Sequence, residues 1–358
     1  MNNILFSIIV PIYNVESYLQ KTIESTLLQN IIHSEYEIIL VNDGSTDGSL
    51  NICEKYEREY SNIILINKEN QGVSTARNVG IERAKGQYLM FLDGDDLLEE
   101  NILLKLKEAI ERKKCDMLLC NYRRIINNDL TNVAELGYQY PERLIKNFDI
   151  NDFLCWAYDN KMNYSWYVWR NIYSRSFILD NNLFFESQIG RGEDFDWLFS
   201  CWMIKANIEV ANISITLYRE RIVATEMNNH TSLKQYMDSF FIVNKWFSII
   251  DSNKFENLSP KTIWVLKQLL ANYFISVSAH IYSMKRPDRK DALKYFNKLK
   301  FVCKYTNRKY YRVLNNILAF DNIYLILLNF IYVNSRTIII KKKLKDAKVN
   351  NKTLSKPI

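Results

Sequence analysis

Three carboxylates crowd one glycine in Asp93-Gly94-Asp95-Asp96, directly after the apolar run Leu89-Met90-Phe91-Leu92. A short apolar run of this kind reads as a buried strand, and acidic side chains just past its carboxyl end stand where an open α/β sheet binds its ligands. A hard cation such as Mg²⁺ or Mn²⁺ takes oxygen ligands and is commonly held by one or two carboxylates plus the phosphates of a substrate. The tetrapeptide therefore suits a metal-assisted nucleotide site. Taken alone it suits an acidic turn that caps the next helix equally well, because Asp-Gly is ordinary turn chemistry.

Other loops carry matching chemistry. Pro11-Ile12-Tyr13-Asn14 sets a rigid proline, an aromatic ring and an amide where a base could stack. In Val41-Asn42-Asp43-Gly44-Ser45-Thr46-Asp47 the first carboxylate could accept a hydrogen bond from a ring N–H, such as the one uracil offers. Gly72-Val73-Ser74-Thr75-Ala76-Arg77-Asn78 opens a helix with an arginine in its first turns, and a guanidinium is well shaped for phosphate. Each loop alone is weak evidence; together they read as places for a base, a pyrophosphate and a metal. Gly192-Glu193-Asp194-Phe195-Asp196-Trp197 adds candidates for a general base at a helix N-terminus, where carboxylates are stabilised in the charged form. Ordinary helix capping is the competing reading of that cluster.

These loops need a scaffold. β-branched apolar runs predict strands over residues 6–11, 37–41, 63–67, 87–92 and 117–121, alternating with helices over 15–29, 49–60, 73–84 and 101–112. Such alternation implies a parallel, doubly wound α/β sheet. A helix is expected over 195–205. The Tyr- and Trp-rich stretch 156–169 reads as core packing, with a sugar-stacking surface as the sharper and less favoured option. Beyond residue 218 the pattern turns helical, over 232–250, 261–282, 290–305 and 310–332. The expected organisation is a first unit over 1–220, with a nucleotide-binding half of about 1–125 and an acceptor half of about 126–220, then a helical unit over 221–345 and a basic, polar tail over 346–358.

At this point a resemblance becomes specific. Ser7-Ile8-Ile9-Val10-Pro11-Ile12-Tyr13-Asn14, Val41-Asn42-Asp43-Gly44-Ser45-Thr46-Asp47, Gly72-Val73-Ser74-Thr75-Ala76-Arg77-Asn78-Val79-Gly80 and Phe91-Leu92-Asp93-Gly94-Asp95-Asp96 closely resemble the signatures of inverting family 2 glycosyltransferases. The resemblance covers roughly residues 5–220 and implies the GT-A fold, a Rossmann-like, mostly parallel sheet with flanking helices. It implies that Pro11, Tyr13 and Asp43 hold a uridine, that Arg77 lies near the diphosphate, and that Asp93 and Asp95 bind the ribose and the metal-diphosphate. Asp96 would contact the sugar or support the site. Similar Glu-Asp pairs in the family place the base on the aspartate, which makes Asp194 the base and Glu193 its positioning partner. The implied cofactor is Mn²⁺ or Mg²⁺, and the implied reaction moves one hexose or N-acetylhexosamine from a UDP-sugar to a saccharide hydroxyl or lipid-linked oligosaccharide, with inversion. Tyr218-Arg219-Glu220-Arg221 resembles a strand that follows the base helix in the family, but Ile222-Val223-Ala224-Thr225 replaces the usual small residues. His230 reads as a surface histidine, with a metal or diphosphate contact as the alternative.

Composition narrows the field further. The 358 residues are 48% hydrophobic, ample for large cores and unlike a disordered chain. Six cysteines, Cys53, Cys115, Cys120, Cys155, Cys201 and Cys303, form no CxxC pair and no zinc spacing, which suits a reducing compartment. Residues 1–12 lack a basic flank and a cleavage site and read as a first strand. The apolar stretch 323–333 falls short of the ~20 residues that a membrane span needs. The net charge of +7 is concentrated beyond residue 280, notably in Lys341-Lys342-Lys343-Leu344-Lys345. With no nucleic-acid motif present, this excess suits either an anionic membrane surface or a solvated tail. The resulting expectation is a cytoplasmic protein, peripheral on the inner face of the membrane, that does not bind nucleic acid; a homodimer through the helical unit is left open. The runner-up readings are a polyprenyl-phosphate sugar synthase and a catalytically inactive nucleotide-sugar binding module.

Overall fold

The computed structural model describes residues 4–126, 129–135, 140–160, 167–204, 206–219, 233–252, 255 and 258–278, with isolated positions 288, 291, 292, 294 and 298. The expected helix 310–332, most of 290–305, His230 and the tail lie outside the described residues.

The chain begins with strand and helix in alternation: β1 (Phe6–Ile12), α1 (Glu16–Leu27), β2 (Tyr36–Asp43), α2 (Ser49–Glu59), β3 (Ile63–Lys68), α3 (Val73–Arg83) and β4 (Tyr88–Phe91). Each lies where the hydrophobic pattern puts it, with ends moved by a residue or a few. Every residue of β1 and β2 is buried, as expected of strands with helices on both faces. β1 pairs in parallel with β2 on one side and β4 on the other, and β2 pairs in parallel with β3. The chain therefore reverses direction across the sheet after β3, opening a crevice at the carboxyl ends of β1 and β4.

The following segment is β5 (Leu97–Leu98), α4 (Ile102–Lys113), β6 (Met117–Ile126), β7 (Asp129–Glu135), α5 (Glu142–Lys146), α6 (Ile150–Asp159), β8 (Asn171–Ser174), α7 (Arg175–Asp180), α8 (Glu193–Met203) and β9 (Ile208–Arg219). Among the described residues nine strands form one sheet in the order β3-β2-β1-β4-β8-β6-β9-β5, with β7 beside β6. The parallel arrangement expected from the sequence holds through β4. Beyond it the sheet is mixed, with β8 antiparallel to both β4 and β6, and β9 parallel to β6.

Because strand side chains alternate between faces, the sheet feeds two cores. Ile8, Val10, Ile38, Leu40 and Met90 meet α1, α2 and α4 on one face. Ile9, Ile39, Val41, Leu89 and Phe91 meet the other face with α3, α6 and α8. There α3 lies so close that a Cβ at Gly80 would overlap the Ile9 side chain. Two further helices, α9 (Leu233–Asp251) and α10 (Pro260–Ser278), join this second core through Tyr236, Ile242, Trp246, Leu266, Leu269 and Phe274. Asp196 of α8 anchors α9 by accepting hydrogen bonds from Lys245 Nζ at 2.9 Å and Trp246 Nε1 at 2.7 Å. Among the described residues no helix is long and apolar enough to cross a membrane.

Candidate active site

The loops after β1 and β2 hold each other in place. Asn14 takes a positive φ of 52°, which asparagine tolerates better than most residues. It donates its N–H to Ser45 Oγ at 3.1 Å, while its Oδ1 accepts the Thr46 N–H at 2.8 Å. Glu16 N–H donates to Asp47 Oδ2 at 3.0 Å, and Gly48 N–H returns to Glu16 Oε2 at 2.9 Å. Asp43, at the end of β2, fixes the approach to α3: its Oδ1 accepts from Lys68 Nζ and from Gln71 N–H at 3.0 Å, and its Oδ2 accepts from Gly72 N–H at 2.8 Å. Among the described residues Oδ2 has a single donor and so retains capacity for another.

Arg77, on α3, is the centre of the second cluster. Its side chain is 3% exposed and its guanidinium lies over the Phe185 ring at 5.3 Å. Nη2 donates to Asp93 Oδ1 at 2.9 Å, and Nη1 donates to Asp194 Oδ1 at 2.8 Å and Glu193 Oε1 at 3.3 Å. One buried cation thus joins the loop after β4 to the N-terminus of α8. Burial alone would lower the Arg77 pKa, but the charges of Asp194, Asp93 and Glu193 outweigh it and the pKa is raised. Asp194 behaves in the opposite way: burial pushes its carboxyl up to about 7, with Glu193 and Asp93 adding to the rise, although Arg77 and the Val168 N–H pull it down. Loss of solvent is the largest influence on this carboxyl and opposes the helix N-terminus, which favours the charged form. The Val168 N–H reaches Asp194 Oδ2 at 3.3 Å.

Between these clusters runs a cleft of about 440 Å³, lined by Pro11, Ile12, Tyr13, Val15, Asp43, Asn70, Gly72, Val73, Ala76, Arg77, Asp93, Gly94, Asp95 and Glu193. That volume lies within the range of small-ligand sites. Tyr13 is half exposed at its edge. Among the expected site residues, Pro11, Tyr13, Asp43, Arg77, Asp93, Asp95 and Glu193 face one hollow. Asp194 does not line the hollow but pairs with Arg77, which does, and Asp96 is buried, its N–H closing the turn onto the Asp93 carbonyl at 3.0 Å. Among the described residues no group of three or more histidines, cysteines and carboxylates could hold a metal on its own. The donor set at Asp93 and Asp95 is hard oxygen, which fits a divalent cation that completes its shell with phosphate and water.

A sequence model of the family described as glycosyl transferase family 2 matches residues 7–177. Glycosyltransferase GlyG of Streptococcus pneumoniae is 30% identical over 237 residues, 63% of this chain and 74% of GlyG. The chain belongs to glycosyl transferase family 2. The uncharacterized glycosyltransferase EpsJ of Bacillus subtilis is 34% identical over 216 residues, and the match spans 60% of this family 2 chain but only 61% of EpsJ. In structure, residues 1–349 of TarS from S. aureus in complex with UDP-GlcNAc superpose with a TM-score of 0.63 at 21% identity, covering 88% of this chain and 86% of that one. At this identity the likeness establishes the shared fold.

Other residues of the family 2 chain escape a reading by motif. Lys68 and Gln71 hold Asp43, and Val168 holds Asp194. Asn78 clamps the backbone of Phe185, donating to its carbonyl and accepting its N–H, both at 2.8 Å. In the aromatic stretch, Trp169 is core, and the half-buried Tyr167 stacks on it at 4.6 Å; residues 161–166 lie outside the described residues. A sequence signal existed for Asn78, inside the helix-opening motif, but none for Lys68 or Val168, whose contacts depend on strand ends and backbone.

Proposed function

We propose that this chain moves a single hexosyl or N-acetylhexosaminyl unit from a UDP-sugar to a hydroxyl of a cell-surface saccharide or lipid-linked oligosaccharide, with inversion and with Asp194 as general base. The observation that carries this reading is the Arg77 guanidinium, which brings Asp93 of the donor-side loop and Asp194 of α8 to one point. TarS, of like fold, has been seen in complex with UDP-GlcNAc, which supports a uridine diphosphate donor here.

The proposed division of labour follows from charge. Tyr13 and Pro11 flank the base and Asp43 accepts its N–H. Asp95 and Asp93 would hold a divalent cation, which supplies positive charge for the departing diphosphate. The acceptor hydroxyl is a poor nucleophile until its proton is taken. Asp194, with a pKa close to neutral, is matched to that task. Glu193 and Arg77 keep it oriented, and a single displacement turns an α-linked donor into a β-glycoside. Residence on the inner membrane face, which the lysine-rich run 341–345 of the sequence suits, extends the same reading.

The test is UDP release from a panel of UDP-sugars with and without Mn²⁺, followed by determination of the product linkage. Turnover of at least one donor, with inversion and dependence on the cation, is expected. Asp194→Asn should lose turnover and keep affinity for UDP; wild-type turnover in that variant would overturn the base assignment.

A further inference from the structure

The segment that carries Glu193 and Asp194 is held on both flanks by the C-terminal helices. On the N-terminal flank, Gly190 N–H donates to Asp238 Oδ2 of α9 at 3.0 Å. Ser74 Oγ of α3 secures the preceding carbonyl, that of Ile189, at 3.2 Å. Gly192 caps α8 at a φ of +88°, and a Cβ there would overlap Tyr273 Oη of α10 and lie 3.0 Å from Ile242 Cδ1 of α9. On the C-terminal flank, the Tyr273 ring stacks on Phe195 at 4.6 Å and 11°. The Tyr273 hydroxyl is itself held at 3.1 Å from Ser239 Oγ of α9. Tyr273 thus touches the residue before Glu193 and the residue after Asp194. Its phenol, pushed up to about 12 chiefly by burial, stays protonated at working pH and acts by shape and hydrogen bonding.

We infer that Tyr273 and Asp238 are positioning residues for the catalytic base, so that α9 and α10 back the segment that carries Asp194 and set where that carboxylate stands against the acceptor hydroxyl. This rests on the proposed role of Asp194. The physical argument is one of precision. A reacting pair must be held near attack distance, and a displacement of about 1 Å can cost roughly 10²-fold in rate. α8 enters the site from a left-handed glycine, a junction with few intrinsic restraints. The restraint must come from outside the segment, and beside Ser74 at Ile189 and Val168 at the Asp194 carboxylate the described contacts place it on Asp238 and Tyr273. Arg77 cannot supply it alone, because it ties only the carboxylate oxygens of Glu193 and Asp194.

The test uses the full chain and the variants Tyr273→Ala, Tyr273→Phe, Asp238→Ala and Asp238→Asn. Hydrogen exchange followed by mass spectrometry should show faster exchange over residues 190–196 in both alanine variants, with the loops at 43–48 and 93–96 unchanged. With the UDP-sugar that the unmodified chain turns over, kcat should fall about 10- to 100-fold, while calorimetry with UDP gives an affinity within about threefold of wild type. The acid limb of the kcat profile should move to lower pH, since a looser segment admits water to Asp194 amid Arg77, Glu193 and Asp93. Tyr273→Phe keeps the stack and Asp238→Asn keeps an acceptor for Gly190, so each should recover most of the loss. Unchanged exchange over 190–196 in the alanine variants overturns the inference, as does a parallel loss of kcat and UDP affinity, which marks general destabilisation. Should the unmodified chain turn over no UDP-sugar, the proposed function fails by itself, and the exchange measurement still decides whether Tyr273 and Asp238 hold the segment.

Discussion

Along the donor side of the cleft, each loop is held by its neighbour in the parallel sheet: Asn14 by Ser45 and Thr46, Glu16 by Asp47 and Gly48, and Asp43 by Lys68, Gln71 and Gly72. Along the base side most of the partners come from other elements, outside the parallel strands and their loops. Asp194 is met by Arg77 of α3 and Val168, while Gly190 and Phe195 are met by Asp238 of α9 and Tyr273 of α10. The proposed donor side is therefore a property of the sheet, and the proposed base side is a property of tertiary packing. Arg77 is where the two meet, so its loss should break the distinction first. Arg77→Ala leaves Asp93, Glu193 and Asp194 together without their cation, and removing one partner of a buried ion pair costs about 3–5 kcal/mol. Urea unfolding should show that loss, and turnover should vanish with it; a small change in stability would mean that water reaches the cluster.

Asp194→Asn should separate the sides instead of collapsing both. The amide is nearly isosteric but cannot take a proton, so kcat should drop by about 10²–10⁴-fold, with UDP affinity unchanged by calorimetry. Asp95→Ala should have the reverse pattern. It removes a hard oxygen from the donor side, and affinity for UDP in the presence of Mn²⁺ should fall about tenfold while affinity without the cation stays as it was. If Asp95→Ala weakens both equally, the carboxylate shapes the cleft and is no cation ligand.

The contrast also explains what could be read from the sequence. β1 to β4 and their helices were legible because period and turn chemistry are local: Ile8 and Val10 alternate with Ile9, and Asp43-Gly44 ends a strand in the chain's own order. The cleft-lining residues of these loops are legible with them, since each sits at a strand end. Asp194 and Glu193 stand out in the sequence as an acidic helix start, but their environment does not, because the desolvation that lifts Asp194 comes from folding the rest of the chain around it. β8 is only four residues long, too short for a hydrophobic pattern, and exists because β4 and β6 offer it antiparallel edges. Tyr273 and Asp238 lie in helices whose apolar spacing announces packing, and nothing local marks which side chains of a packed helix reach an active-site loop. The Asp196 carboxylate, an acid of the same cluster as Asp194, shows the point from the other side: it is bound by Lys245 and Trp246 and serves to dock α9.

The smallest expected effect tests the electrostatics of the base side directly. Asp194 has a folded-state pKa of about 7 against an ordinary 3.8, so between those values the native chain binds a proton that the unfolded chain has released. Its contribution to stability is thus full below the unfolded pKa and is lost as pH rises through the folded one. Above pH 7 the native state carries a half-buried charge that Arg77 compensates only in part. Asp194→Asn removes that charge while keeping the side chain's size, so the variant should melt higher than wild type at pH 8, by about 2–4 °C, and the gain should shrink towards pH 5. An enzyme variant that is more stable and inactive is the expected signature of a strained functional group. Melting curves at a series of pH values check it, and a variant less stable than wild type at pH 8 would mean that the ion pair with Arg77 outweighs the loss of solvent.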